Sequence, residues 1–240
     1  MEMIVNLLLL GILILCTWSG YKKGIIMGIG GLLAIVVALY GANLVANTFS
    51  RDLLPAMRPF ATGYMEARKS AEDGIMEQMG WDDTDYSLQD LLERYPERRE
   101  EFAATCFTDL GVESGTAETL GKRAVAYAEE NGTDLFTSAV QVLCETASYL
   151  GCFVLAFLLI LIVITVIGNL PNLSFKIPNL DWLNDIGGTL LGLATGAAFC
   201  IILVWVLKFF GKLIGQDTLA EGWLSRFFLE KDYLKTYLGL

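Results

Sequence analysis

Histidine is absent from the 240-residue chain. That removes Ser-His-Asp and Cys-His nucleophile systems, most zinc sites and an imidazole pH switch. In the polar insert Arg51–Glu145 no alternating apolar pattern is long enough for a β-strand. The middles of the long apolar runs contain no Asp, Glu, Lys or Arg, where an ionisable residue would mark a transport path or proton relay. Proline is sparse, at five residues.

Other motifs fail on spacing. The stretch GYKKGIIMGIGG, Gly20 to Gly31, is not a phosphate-binding loop, because Lys22 and Lys23 precede the glycines and no strand leads into them. The run Asp82-Asp83-Thr84-Asp85 has Ser87, not glycine, at the sixth position of a calcium loop counted from Asp82. A solvated acidic turn is expected there. Cys16, Cys106, Cys144, Cys152 and Cys200 give an odd count with no disulfide or metal spacing. Cys144 and Cys152 stand about 12 Å apart on one helix, too far for a bridge. These thiols are expected to act as small apolar residues. The expectation is no catalytic residue, no cofactor and no metal.

What the chain has is hydrocarbon. Hydrophobic residues make up 54 %, mean hydropathy is +0.51, and the apolar residues are bunched. Four stretches, Met3–Ser19, Ile25–Phe49, Ala147–Gly168 and Ile186–Leu207, are each near the length needed to cross about 30 Å of lipid at about 1.5 Å per residue. The first opens Met1-Glu2 rather than with a positive segment, so it is read as a retained span and not as a signal peptide. Only Gly20–Gly24 separates it from the second, the spacing of a helical hairpin.

The predicted fold is an all-α integral membrane protein with four transmembrane helices in two hairpins. Its parts are a first hairpin over 1–50, an acidic helical insert over 51–146, a second hairpin over 147–215 and an amphipathic tail over 216–240. Arg51–Glu145 carries 20 acidic and 9 basic residues against 7 and 8 elsewhere, so the net charge of -10 belongs to this insert. Its acidity argues against nucleic acid and anionic lipid as partners of the insert. Pro55 and Pro59 follow the second stretch, and Ala61–Met79 then has helix-forming composition. Ser87 followed by Asp90 predicts a helix start, and Gly111, Gly115 and Gly132 predict breaks. Thr133-Asp134 predicts the start of a helix that runs unbroken into the third span.

Trp182, in a proline- and asparagine-rich loop, is placed at the membrane interface. In the tail, Leu219, Trp223, Leu224, Phe227, Phe228, Leu234 and Leu238 recur at helical spacing, with Lys231 and Lys235 between them. That predicts a surface helix bound through Trp223, Phe227 and Phe228, or the same stripe packed on the insert. Positive charge at Lys22 and Lys23 in a short turn predicts that this turn is cytoplasmic and that both termini and the insert lie outside. Gly24, Gly28 and Gly31, and again Gly188, Gly192 and Gly196, line up about four residues apart, which lets another backbone come close. The two sets are expected to pack against each other.

The segments GYKKGIIMGIGGLLAIVVALYGA and LDWLNDIGGTLLGLATGAAFCIILVWVL together resemble the CvpA family of colicin V production proteins. The resembling parts are Met3–Ala46 and Pro178–Leu207, and the insert lies outside them. Members often carry an arginine just before the last glycine of the late span, where this chain has Thr195. Relatives fused to a serine protease domain are unlike this histidine-free chain. The resemblance implies a multi-pass protein of the bacterial cytoplasmic membrane, linked to toxin export and cell-envelope homeostasis. The expected role is a non-enzymatic scaffold or accessory factor, with the lipid bilayer and a membrane or envelope protein as partners. The alternative is a small transporter or channel subunit.

Overall fold

The computed structural model describes residues 2–69, 74–81, 86–169, 181–211 and 218–230. The Asp82–Asp85 turn, residues 170–180 of the loop before Trp182, and Lys231, Leu234, Lys235 and Leu238 of the tail lie outside these. The described residues form only helices and turns. In chain order the helices are α1 Glu2–Lys69, α2 Ile75–Gln78, α3 Leu88–Arg94, a 3-10 turn Pro96–Arg98, α4 Arg99–Asp109, α5 Ser114–Asn131, α6 Leu135–Asn169, α7 Asp181–Leu207, α8 Thr218–Glu221 and α9 Trp223–Glu230.

Among the described residues, three helices are long and apolar enough to cross a membrane: Glu2–Arg68, Leu135–Ile167 and Asp181–Leu207. The first two expected stretches both lie in α1. Its 68 residues are over three times the roughly 20 that one crossing needs. The helical conformation is interrupted within it at Gly24, with φ 77° and ψ -178°. Pro55 and Pro59, expected to follow a helix, lie inside α1. Each removes one N–H and frees a carbonyl four residues back, at Arg51 and Pro55. These residues are exposed, so water can reach the freed carbonyls.

The chain divides into two compact units. The first comprises Met1–Thr48, Gly151–Leu207 and Thr218–Leu240. The inward residues of its helices are small or apolar: Val5, Leu9, Ile35, Ala38, Ala42 and Ala46 on α1, and Phe153 and Phe157 on α6. Phe153 meets the α7 residue Trp205 edge-on at 5.2 Å. The outward residues Leu7, Leu15, Trp18, Leu33, Val36, Leu155, Leu159 and Ile162 are all largely exposed. A continuous apolar exterior of this kind is the surface of a protein solvated by lipid.

The second unit comprises Phe49–Leu150 and Lys208–Asp217, and it has a core of the kind water enforces. Met65, Ile75, Trp81, Leu91, Phe102, Cys106, Phe107, Leu120 and Val142 are buried together. Ser87 Oγ accepts the Asp90 N–H while the Asp90 carboxylate accepts the Ser87 N–H, each at 3.2 Å, so the capping box forms at α3. The chain does break at Gly111 and Gly132, both in the positive-φ region. Gly115 instead lies inside α5, because the Glu113 carboxylate accepts the N–H groups of Gly115 and Thr116 at 3.0 and 2.9 Å and starts the helix earlier. Helix α6 is continuous, and Asp134 accepts the Thr137 N–H at its start.

Arg68 grips Asp109 with two hydrogen bonds, 2.8 Å from Nε and 2.6 Å from Nη2, and Gln78 adds a third at 3.3 Å. Asp109 is nearly dry, so removing Arg68 strands a buried carboxylate at a cost of up to about 3 kcal/mol. One turn before Asp109, Cys106 is fully buried. Burial pushes its thiol well above the usual cysteine range, and the charge of Asp109 adds to the effect. Cys106 is therefore shielded in the folded protein and cannot report which side of a membrane the insert occupies. A thiol reagent is expected to leave Cys106 unmodified until denaturant is added, and Arg68→Ala should speed modification at least tenfold. Equal rates in both proteins would show that the Arg68–Asp109 pair does not hold this core closed.

Candidate helix-packing site

On α7, Asn184, Gly188, Gly192, Gly196 and Cys200 follow one another every four residues, and all are buried. They form a single seam, since residues four apart share a helix face. The seam meets the part of α1 that precedes Gly24. A Cβ placed on Gly192 would lie 2.9 Å from the Gly20 Cα and 3.1 Å from the Thr17 Cα. One placed on Gly196 would lie 3.2 Å from the Leu13 Cα. The Cys200 thiol donates to the Leu9 carbonyl at 3.6 Å. From Gly20 back to Leu9, the partners on α7 rise in number from Gly188 to Cys200. Side chains on either helix would separate the backbones and cost the dispersion contacts that hold helices together in lipid.

Gly24 sits where the order changes. Its φ of 77° and ψ of -178° fall in a region essentially reserved for glycine. A Cβ there would strike the amide of Asn184, while a Cβ on Gly188 would lie 2.8 Å from the Gly24 Cα. The break leaves the Ile25 N–H without its partner one turn back. Asn184 Oδ1 accepts that hydrogen bond at 3.0 Å. An asparagine of one helix thus caps the restart of another, which matters because a buried N–H left unpaired costs about 1–3 kcal/mol. A second asparagine repeats the device: Asn6 Oδ1 accepts from Leu224 and Ser225 at 3.2 and 3.1 Å, at the start of α9.

The remaining glycines behave differently from the expected pairing. Gly28 meets Leu191, whose Cβ would lie 2.8 Å from a Cβ on the glycine, and Gly31 has nothing within 4 Å of that position. The close approach to Gly192 and Gly196 is made by Leu13, Cys16, Thr17 and Gly20 instead. Gly28 and Gly31 line a cavity of about 280 Å³ bounded by α1, α6 and α7.

Lys22 and Lys23 are exposed immediately before the break, with the Lys22 ammonium 5.1 Å from the Trp18 ring centre. Trp182 is exposed at the start of α7. In the tail, Gly222 divides the described stripe into α8 and α9. Leu224, Ser225 and Phe228 turn inward, whereas Trp223 and Phe227 remain outside. The aromatic trio expected to act together is therefore split between two faces, because residues 227 and 228 stand about 100° apart on a helix.

Asn184 and Asn6 were the residues least visible in the sequence. One stands in a stretch with loop composition and the other is a lone polar residue beside an apolar run. Asn184→Ala is expected to destabilise the protein by about 1–3 kcal/mol through the orphaned Ile25 N–H. Gly24→Ala should cost at least as much, from backbone strain and the collision with Asn184. Thermal unfolding in detergent checks both, and an unchanged midpoint in either variant would contradict the capping arrangement. Gly31→Ala, into open space, should leave the midpoint near that of the unaltered protein.

None of the curated proteins searched and none of the solved structures searched matches the chain. Residues 120–232 match the family model described as Colicin V production protein. The matched range includes α6, α7, α8 and α9, and it begins within α5, inside the insert that the resemblance had left out. It contains the Gly188–Gly196 seam and not the Met3–Ala46 segment. The matched region holds two of the three long apolar helices and their glycine seam, and it supports membership of the chain in the colicin V production protein family.

Proposed function

We propose that the chain is a four-span protein of the bacterial cytoplasmic membrane that serves as a non-enzymatic scaffold or accessory factor in toxin export and envelope homeostasis. The observation that carries the four-span reading is the change of order at Gly24. Before it, falling numbers on α1 meet rising numbers on α7; after it, Gly24 and Gly28 meet Gly188 and Leu191, both rising. A chain that reverses there makes two crossings within α1, the first antiparallel to α7 and the second parallel to it. With α6 and α7 this gives four crossings.

The scaffold reading is supported by three features. The family match points to toxin production. Backbone meets backbone along the seam, where a conduit would need space. The insert builds its own core, as a module that binds other proteins must. No ionisable residue stands in the middle of an apolar run to relay an ion. Partners are expected among membrane or envelope proteins, with Lys22 and Lys23 on the cytoplasmic side.

Single cysteines at exposed positions test the topology in a protein otherwise free of cysteine. Glu2→Cys and Glu118→Cys should be labelled by an impermeant reagent on intact cells, and Lys22→Cys only after permeabilisation. Opposite sides for Glu2 and Glu118 would mean a single crossing in α1. Purified protein in liposomes should leave proton and ion leakage at the level of empty vesicles, whereas a clear flux would favour a channel or transporter subunit.

A further inference from the structure

We propose that the cavity beside the glycine seam holds one acyl chain of an anionic phospholipid, with the lipid phosphate against Lys23. The cavity, about 280 Å³, is walled by residues of α1 on both sides of Gly24, by Leu161 and Thr165 of α6, and by Gly192, Thr195 and Phe199 of α7. Gly31 leaves room for it by carrying no side chain. At Gly31 a Cβ would meet nothing within 4 Å, so the space there is open.

The lining decides what fills it. Water in a cavity needs two to four polar partners. Here the walls are mainly apolar: the Thr195 hydroxyl already donates to the Leu191 carbonyl at 2.8 Å, and the other polar side chains of the lining are Ser19, Lys23 and Thr165. An empty void would forfeit dispersion contacts on every wall. Hydrocarbon answers both constraints. It is also at hand, because neighbouring positions such as Leu15, Leu33 and Ile162 face outward on the lipid-like surface of the unit. The volume lies just under the lower figure of about 300 Å³ for small-molecule pockets, which suits a length of chain rather than a whole lipid.

The charge of the occupant follows from one end of the cavity. Lys23 lines it there, with Lys22 adjacent in sequence. Among the described residues neither lysine is in an ion pair. A cation at the end of an apolar slot matches a phosphate, and a lysine at the lipid surface is worth about 1 kcal/mol toward anionic lipid. The acidic insert, expected to repel such lipids, is a separate part of the chain.

Native mass spectrometry of the purified full-length chain in detergent, given phosphatidylglycerol or phosphatidylcholine of the same acyl composition, tests this. One phosphatidylglycerol per chain should survive detergent exchange, with phosphatidylcholine retained at least fivefold less. Lys23→Gln should lower the phosphatidylglycerol preference about fivefold, the equivalent of about 1 kcal/mol. Gly31→Leu should fill the cavity and abolish retention while helicity and unfolding midpoint are preserved. Equal retention of the two lipids, retention by Gly31→Leu at the unaltered level, or a free fatty acid in place of phospholipid would each overturn the proposal. If Gly31→Leu does not fold, Lys23→Gln decides alone, and an undiminished preference in that variant would overturn it.

Discussion

A backbone N–H that a helix break strands inside a packed interface needs a new acceptor, and the hydrogen bond from Ile25 to Asn184 answers that constraint at the one place where the long first helix breaks. Glycine at position 24 permits the conformation; asparagine at 184 satisfies the donor that the conformation strands. Neither residue suffices alone. Once the break is fixed, the register of the preceding helix against α7 follows. Gly20, Thr17, Cys16 and Leu13 fall opposite Gly188, Gly192 and Gly196, where the absence of side chains lets the backbones touch. Asn6 at the start of α9 applies the same solution to the other end of that helix.

The two units answer to different solvents. In the unit made of the long apolar helices, large apolar side chains cover the outside while glycines and alanines stand among the inward residues, so backbones come close and packing supplies the cohesion. In the other unit, Phe102, Phe107 and Trp81 are inside, Arg98 lies 4.9 Å over the Trp81 ring, and the buried Asp109 is held by Arg68 and Gln78. Glycine serves proximity there too. A Cβ on Gly121 of α5 would stand 2.8 Å from the Ala104 nitrogen of α4. The same chain thus combines a lipid-type and a water-type core, the second rich in acidic surface residues.

Much of this was legible in the sequence, for physical reasons. Run length and the absence of mid-run charge disclose apolar helices because both scale directly with bilayer thickness. The Ser87–Asp90 capping box was legible because it is local. The course of α1 through Pro55 and Pro59 was not, since a proline breaks a helix only where its lost hydrogen bond goes uncompensated. The glycines show the limit most clearly. Small residues every four positions occur on both sides of Gly24, and either set could serve α7. Which one does depends on the direction of the chain after the break, a tertiary fact. Asn184 was hidden for the same reason, because its hydrogen-bond partner is 159 residues away.

The seam itself can be trapped with a native cysteine. A Cβ at position 196 would lie 3.1 Å from the Cys16 Cβ, a few tenths of an ångström short of the roughly 3.5–4.5 Å typical of a disulfide. In a protein carrying Cys16 and Gly196→Cys, with Cys106, Cys144, Cys152 and Cys200 replaced by alanine, mild oxidation in native membranes should form an intramolecular disulfide in most chains. The same treatment of a protein with cysteines at Gly28 and Gly196 and none at Cys16 should not. Efficient crosslinking of the second pair, or crosslinks of the first pair only between separate chains, would contradict packing of the pre-Gly24 helix on α7.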